Sequence, residues 1–448
     1  MRRPVSRRPG TLTAAAIVLA AAASVDGRGE PWPQWRGPSG QGISTETNLP
    51  TEWSTTKNVA WSTEIPGRGF SSPIVWGNRV YLTSSIEGDI VPGAKTAPHK
   101  LGGEDFVHPD AVAGDRRHEL KVFALDATTG RILWERTAYS GPVYDARHRS
   151  GSFANTTPAT DGERIYAWFG SEGLYVYDID GKLVWKKSLG QIAAFGMGTG
   201  TSPVLFENLL ILQCDEDNGE RSFIVALDRR TGKEVWRTAR SIQASWSTPA
   251  LAKAGDRTEL VTSGNEFVVS YDARTGKELW RVKGTGGWTV PTPIVGNGVV
   301  VASAAHPLKR AVAVRLGSSG DVTGTPAVAW ERDKGTGYTP SSIAYGDYAY
   351  ILTDGGLITC VDIRTGEVMY EGARPPKPAR YWASPVAFGG KIFLTNEHGE
   401  THVIAAGPKY EILGVNTIDE PVYTSLAPSD GRLFLRTWSK LYKIVQKN

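Results

Sequence analysis

Apolar and polar residues alternate along this chain in short stretches such as RVYLTSS (79–85), LLILQCD (209–215) and KIFLTNE (391–397), each bounded by Gly, Asn, Asp or Pro. Side chains on a strand point to opposite faces in turn, so this alternation predicts strands, and no long run of helical period competes. The stretches recur in a fixed order. The segment FIVALDRRTGKEVW, ending at Trp236, returns as FVVSYDARTGKELW, ending at Trp280. A repeat of this kind cannot bury its own apolar face and must stack on copies of itself.

The copies share an Asp, a Gly four residues on and a Trp four further: Asp126, Gly130, Trp134; Asp228, Gly232, Trp236; Asp272, Gly276, Trp280. Asp362, Gly366 and Tyr370 keep the spacing, Asp178, Gly181 and Trp185 lose one turn residue, and Trp330 and Leu413 mark two decayed copies. Successive marks are about 40 to 50 residues apart, the length of a propeller blade. Each interval opens on a Ser/Thr-Pro step (Pro73, Pro158, Pro203, Pro249, Pro293, Pro385) and holds four predicted strands. Seven full repeats run from residue 70 to about residue 420. The tail from Val422 supplies three strands, VYTSLAP, RLFLRTW and KLYKIVQ, and the fourth is NVAWSTEI around Trp61. Joining the chain ends in one blade removes a free sheet edge. The predicted fold is therefore all-β: an eight-bladed β-propeller of four-stranded antiparallel blades, closed by an N-terminal strand.

The N-terminus follows other rules. Arg2, Arg3, Arg7 and Arg8 precede an apolar run from Leu12 to Ala23, the layout of a secretory signal and too short to span a membrane. Ser6-Arg7-Arg8 hints at a twin-arginine signal, although Gly10 stands where an aromatic is expected, so the export route is left open. The division is 1–23 signal peptide, 24–57 extension and 58–448 propeller, exported to the periplasm or beyond. Losing those four Arg brings the formal charge of +4 to zero, which gives nucleic-acid binding no support. No transmembrane segment is read, and a monomer is expected.

Candidate chemistry is sparse. Cys214 and Cys360 are assigned to inner strands of the third and sixth blades, too far apart for a disulfide, as buried free thiols. The seven His form no metal-type cluster, and His118, His148, His306 and His398 are read as surface polarity.

A four-strand meander sends the Asp-Thr-Gly turns to one face, where Asp and Gly do folding work and the Trp packs between blades. The opposite face collects the residues before the Ser/Thr-Pro steps: Phe70, Phe153, Trp246, Trp288, Tyr338, Trp382 and Tyr423. Links between second and third strands add Glu172, Asp215, Glu216, Asp217, Asn265, Glu266, Asp354, Asn396, Glu397 and His398. The aromatic ring with Asp215, Asn265, Asn396 and Glu397 is the candidate binding rim, fit for a small polar ring compound or an extended peptide. The competing reading has the aromatics plugging the axis and the acids solvated. An insertion from Ile86 to about His118 must cover or flank the same face.

In PWPQWRGPSGQGIS, SSPIVWGNRVYL, TPATDGERIYAWFGSEGLYVYDIDGKLVWKKSLG, SWSTP and RTWSKLYKI the chain resembles the exported PQQ-like β-propeller repeat proteins, a group that includes the assembly factor BamB. The resemblance implies the fold over nearly all of the mature chain, and two functions. Quinoprotein alcohol dehydrogenases of this type hold pyrroloquinoline quinone between a Trp and a disulfide of adjacent Cys, with calcium bound by acids and Asn. Here no adjacent Cys pair exists, leaving Trp246, Trp288 or Trp382 to stack a quinone and Asp215, Asn265 or Asn396 to approach a cation. The BamB-like alternative is a scaffold for envelope proteins, from which this chain departs by lacking a lipobox Cys. With no nucleophile–base pair, metal cluster or phosphate loop, the sequence favours a non-enzymatic binding scaffold with a protein partner or a small polar ligand.

Overall fold

A computed structural model describes residues 29–446, so the segment 1–23, which the sequence suggests is a signal peptide, lies outside the described residues. Eight sheets, each with a four-stranded antiparallel core, are arranged in chain order around an axis, and the first strands of successive blades pack on one another. Blade 1 comprises Ile74–Trp76, Arg79–Ile90, Arg116–Asp126 and Ile132–Gly141. Blades 2 to 7 span 159–187, 204–239, 250–283, 294–332, 343–373 and 386–417. Blade 8 joins Ala427–Ser429, Arg432–Arg436 and Lys440–Val445 to Val59–Glu64, with Trp61 opposite Lys443 and Thr63 opposite Leu441. Its first strand begins at Ala427 rather than Val422, because 422–426 form the link that carries Tyr423. Among the described residues the single helical turn is Gly170–Glu172.

The Asp-Thr-Gly turns do what the sequence implies. Asp228 Oδ1 accepts from Thr231 N–H and Thr231 Oγ1 at 2.8 and 2.7 Å, and Gly232 N–H closes the turn on Asp228 O at 2.8 Å. Each turn glycine also serves the previous blade's tryptophan. A Cβ on Gly181, Gly232 or Gly276 would lie within 3.0 Å of Trp134, Trp185 or Trp236, respectively. The Trp134 indole N–H donates across the same seam to Ile179 O at 2.9 Å. Flat rings thus lie on backbone that has no side chain to hold them off.

The Ser/Thr-Pro steps form a belt. Ser72 N–H donates to Thr157 Oγ1, Thr157 N–H to Ser202 Oγ and Ser202 N–H to Thr248 Oγ1, each at 3.0 Å. The belt resumes from Thr292 N–H to Ser341 Oγ, then to Ser384 and Ser425, and closes on Ser72 Oγ at 3.1 Å. The hydroxyl therefore ties blade to blade.

The extension fills the axis. Innermost strands present unpaired backbone groups to any channel, and 29–44 satisfies them blade after blade. Trp32 bridges Val75, Pro33 O accepts from Thr160 N–H at 2.8 Å, and Gln34 Oε1 from Leu205 N–H at 3.0 Å. Gln41 Oε1 accepts from Val295 N–H at 2.8 Å, Arg36 donates to Ser342 O at 2.8 Å, and Ile43 pairs with Ala387. Trp32 is 1% exposed, and burial lowers the Arg36 guanidinium to about 9. The axial opening is closed from within by residues 29–44.

Cys214 and Cys360 are buried free thiols, on the second strand of blade 3 and the third strand of blade 6, both flanked by strands on either side. Among the described residues no helix is long and apolar enough to cross a membrane.

Candidate functional site

The face carrying the links into the Ser/Thr-Pro steps does not hold one ring of aromatics; the structure divides it into two sectors. In the first, the link between blades 2 and 3 and the insertion of blade 1 fold inward. Phe195, fully buried at φ +50°, stacks on Trp288 with centroids 5.7 Å apart and planes 12° from parallel. Trp246, His108 and His306 surround the same indole at 6.1, 6.2 and 6.0 Å. Tyr338 reaches His306 at 5.7 Å. Trp288 is thus packed on several sides.

A buried ion triad fixes this cover. Strand 2 of blade 1 runs on to Ile90 and strand 3 begins at Arg116, so the insertion is an ordered arm, with a small hairpin of His99–Leu101 and Glu104–Phe106. His99 Nδ1 lies 2.9 Å from Asp217 Oδ2 and Nε2 lies 3.2 Å from Asp145 Oδ1, all three side chains nearly fully buried. The same carboxylates accept Phe195 N–H at 2.5 Å and Ala194 N–H at 2.9 Å, which holds the left-handed turn in place. Burial works to lower the His99 pKa, but its bonds to Asp145 and Asp217 outweigh it and raise it to about 9. An imidazole with a carboxylate at each nitrogen is held as the cation.

The sign follows from that shift. A histidine raised above its unfolded value near 6.5 stabilises the fold fully below that pH, and the contribution disappears as pH climbs through about 9. Glu172 and Asp215, both pushed up to about 7 by burial, titrate lower and leave a separate window. Measured against a His99→Gln variant, which cancels the contributions of other groups such as Arg36, stability should fall by about 2 kcal/mol between pH 7.5 and 9.5, read from denaturant midpoints. An equal slope in both proteins would refute the ion triad.

The second sector is a strip. Trp382, Tyr423 and Phe70 stack in series, with centroids 6.0 and 4.7 Å apart, and Trp438 leans on Tyr423 and Phe70 at 5.6 and 5.8 Å. Arg68 lies 4.7 Å over Trp438 and 5.3 Å over Phe70. Trp438 is 40% exposed and the other rings are half-buried. No ring contact joins the insertion to this strip among the described residues. Phe153 stands apart against His118 at 4.5 Å, beside a cavity of 20 Å³ lined by Asp145, Ser171 and Glu172, enough for a water.

The polar candidates are mostly committed elsewhere. Asp215 is fully buried beside Arg240 at 2.9 Å and Gln213 at 2.8 Å. Asn396 accepts His398 N–H and Glu400 N–H at 3.0 and 3.1 Å, closing its own turn. Glu397 accepts Arg380 N–H at 3.1 Å, and Asn265 donates to Gln243 at 3.3 Å. Asp354 binds the Tyr338 and Thr339 amides at 2.8 and 3.0 Å. Among the described residues no three of His, Cys, Asp or Glu converge as a metal site. His118, read as surface polarity, is 2% exposed because Phe153 covers it.

Sequence reasoning missed His99, Asp145 and Phe195. An apolar run, IAAF at 192–195, in a link that should face solvent was the available signal; nothing local marks His99 or Asp145.

The fold and this face together define an eight-bladed propeller of the PQQ-like repeat class. The chain belongs to the family described as outer membrane protein assembly factor BamB, whose pattern matches residues 43–193, 111–218 and 220–448. It is similar in structure to BamB from Moraxella catarrhalis, with a TM-score of 0.52 at 15% identity, covering 87% of this chain and 99% of that one. A europium-containing methanol dehydrogenase is also similar, with a TM-score of 0.61 at 12% identity over 93% and 98% of the two chains. A quinoprotein ethanol dehydrogenase of Pseudomonas putida is 35% identical over 126 residues, which is 26% of this chain and 19% of that protein's length.

Pyrroloquinoline quinone and calcium need an open ring face, an opposing apolar or disulfide partner and convergent oxygen ligands. They do not fit at Trp288: its ring face is taken by Phe195, no adjacent Cys pair faces it, and Asp215 and Asn396 point into their own networks.

Proposed function

We propose that the protein is an exported, non-enzymatic binding scaffold that engages a protein of the cell envelope with the open sector of its funnel face. The observation that carries this reading is the half-exposed strip Trp382, Tyr423, Phe70 and Trp438 under Arg68, opposite a sector filled by the chain itself. Stacked rings with a guanidinium among them give rigid apolar contact area at low entropic cost, the composition of interface anchors.

The alternative, a calcium- and quinone-dependent dehydrogenase, draws on the short match to the ethanol dehydrogenase. Mixing the mature protein with pyrroloquinoline quinone and calcium separates the two. The scaffold reading expects an unchanged quinone spectrum and no dye-linked alcohol oxidation. It also expects that Tyr423→Ala with Arg68→Glu abolishes crosslinking to an envelope partner without lowering the melting temperature. Saturable quinone binding with turnover would overturn it.

A further inference from the structure

Among the described residues, blade 4 is the one sheet with a fifth strand. Gly320–Asp321, from a loop of blade 5, pairs in parallel with the blade's outermost strand, Trp280 opposite Gly320 and Arg281 opposite Asp321. The next residues continue the ladder. Val322 N–H donates to Arg281 O at 2.9 Å, and Lys283 N–H to Thr323 Oγ1 at 2.9 Å. Val322 is buried with Trp280 and Val282 of blade 4 and Val300 and Val312 of blade 5. An added strand on this propeller therefore lies beyond one blade's outer edge and rests on the face of the next.

The corresponding position one seam after blade 1 is open. A groove of 540 Å³ runs along Arg136, Thr137 and Ala138 of the outermost strand of blade 1. Its floor is the face of blade 2, with Tyr175, Tyr177, Leu183 and Lys186. The outer edge of that blade 1 strand has no bonded neighbour among the described residues, and Leu183 is 44% exposed. A strand there would find an edge with no paired strand beside an apolar floor.

The seam also carries unpaired positive charge. The arginines of three other outer strands meet acids: Arg237 with Glu234 at 2.7 Å, Arg281 with Glu278 at 2.6 Å and Arg332 with Glu371. Lys182 and Lys186 have no acidic partner among the described residues, and Arg136 donates only to the carbonyls of Gly181, Glu135 and Asp180. The groove's one acid, Asp180, is held by Arg79 at 3.1 Å. The built-in strand of blade 4 likewise sets Asp321 beside Arg281.

We propose that this groove docks an extended acidic peptide of a partner protein, which adds as a fifth strand to blade 1 and sets its acids on Lys182 and Lys186. The site lies on the outer rim between blades 1 and 2, separate from the funnel face.

The test uses the mature chain and a fluorescent peptide of alternating Asp and Val, with a Lys/Val peptide of the same length as control. The acidic peptide should bind saturably below about 100 µM, and the basic one should not. Lys182→Glu with Lys186→Glu should weaken binding by at least about tenfold, and so should added salt on the scale that screens exposed charges. N-methylation of alternate peptide amides, measured on the unaltered protein, should weaken it by a similar factor because strand pairing needs those N–H groups. Tyr423→Ala should leave it unchanged, so failure here and failure of the funnel reading are told apart. Equal binding of both peptides, indifference to charge reversal or to N-methylation, or no binding at about 1 mM would overturn the proposal.

Discussion

Trp32→Ala should lower the unfolding free energy by about 3 to 5 kcal/mol, the cost of truncating a fully buried aromatic side chain. The indole is 1% exposed and belongs to the cluster shared by blades 1, 7 and 8, with Val75, Phe388, Phe434 and Leu435. Its own backbone bridges Val75 on both sides, with N–H to O distances of 2.9 and 2.8 Å. Loss of the ring should therefore also loosen the first link of the axial segment. Trp438→Ala, at a residue 40% exposed on the funnel strip, is the control and should cost little. Equilibrium denaturation measures both. A loss below about 1 kcal/mol for Trp32 would mean that the axial segment is not part of the cooperative fold.

The second large effect belongs to the turn glycines. Gly276 has φ +70°, and an added Cβ would sit 2.4 Å from Cε3 of Trp236, which is itself 9% exposed. Backbone strain and overpacking add, so Gly276→Ala should cost about 3 kcal/mol. Gly298 isolates the two terms. Its φ is +76°, yet nothing lies within 4 Å of a Cβ there, so Gly298→Ala should show the backbone term alone, about 1 kcal/mol. Equal losses at the two sites would show that the tryptophan contact contributes nothing to the seam between blades.

These two predictions draw on different layers of the chain. The Asp, Gly and Trp of each repeat carry their roles in their spacing, because an Asp that accepts bonds from the next turn and a Gly at positive φ are local requirements. The ring closure was equally legible, since Trp61 had no strands before it and the tail lacked one. By contrast, nothing in PWPQWRGPSGQGIS announces that Pro33, Gln34, Arg36 and Gln41 address blades 2, 3, 6 and 5, because each partner lies more than a hundred residues away.

The candidate face was legible as a set of residue types and not as an arrangement. Parity placed the aromatics on one side, and that required only four strands per blade. Whether those rings met a ligand, solvent or one another depended on where the insertion and the link at 188–202 came to rest. Their seat is decided by His99 reaching Asp145 and Asp217, 46 and 118 residues on in sequence. A lone imidazole in a Pro- and Gly-rich insertion carries no local mark of two carboxylates that converge only after three blades have closed.

The sequence by itself determined the blade, the number of blades, the shared closing blade and the face that gathers the aromatic residues, because alternation, turn chemistry and repeat spacing are properties of neighbours along the chain. Tertiary structure alone decided that the axis is filled by residues 29–44, that Phe195 covers Trp288, and that an outer seam beside blade 1 stays open. Those outcomes rest on which buried polar and charged groups find partners across the ring, and that pairing exists only once the ring is closed.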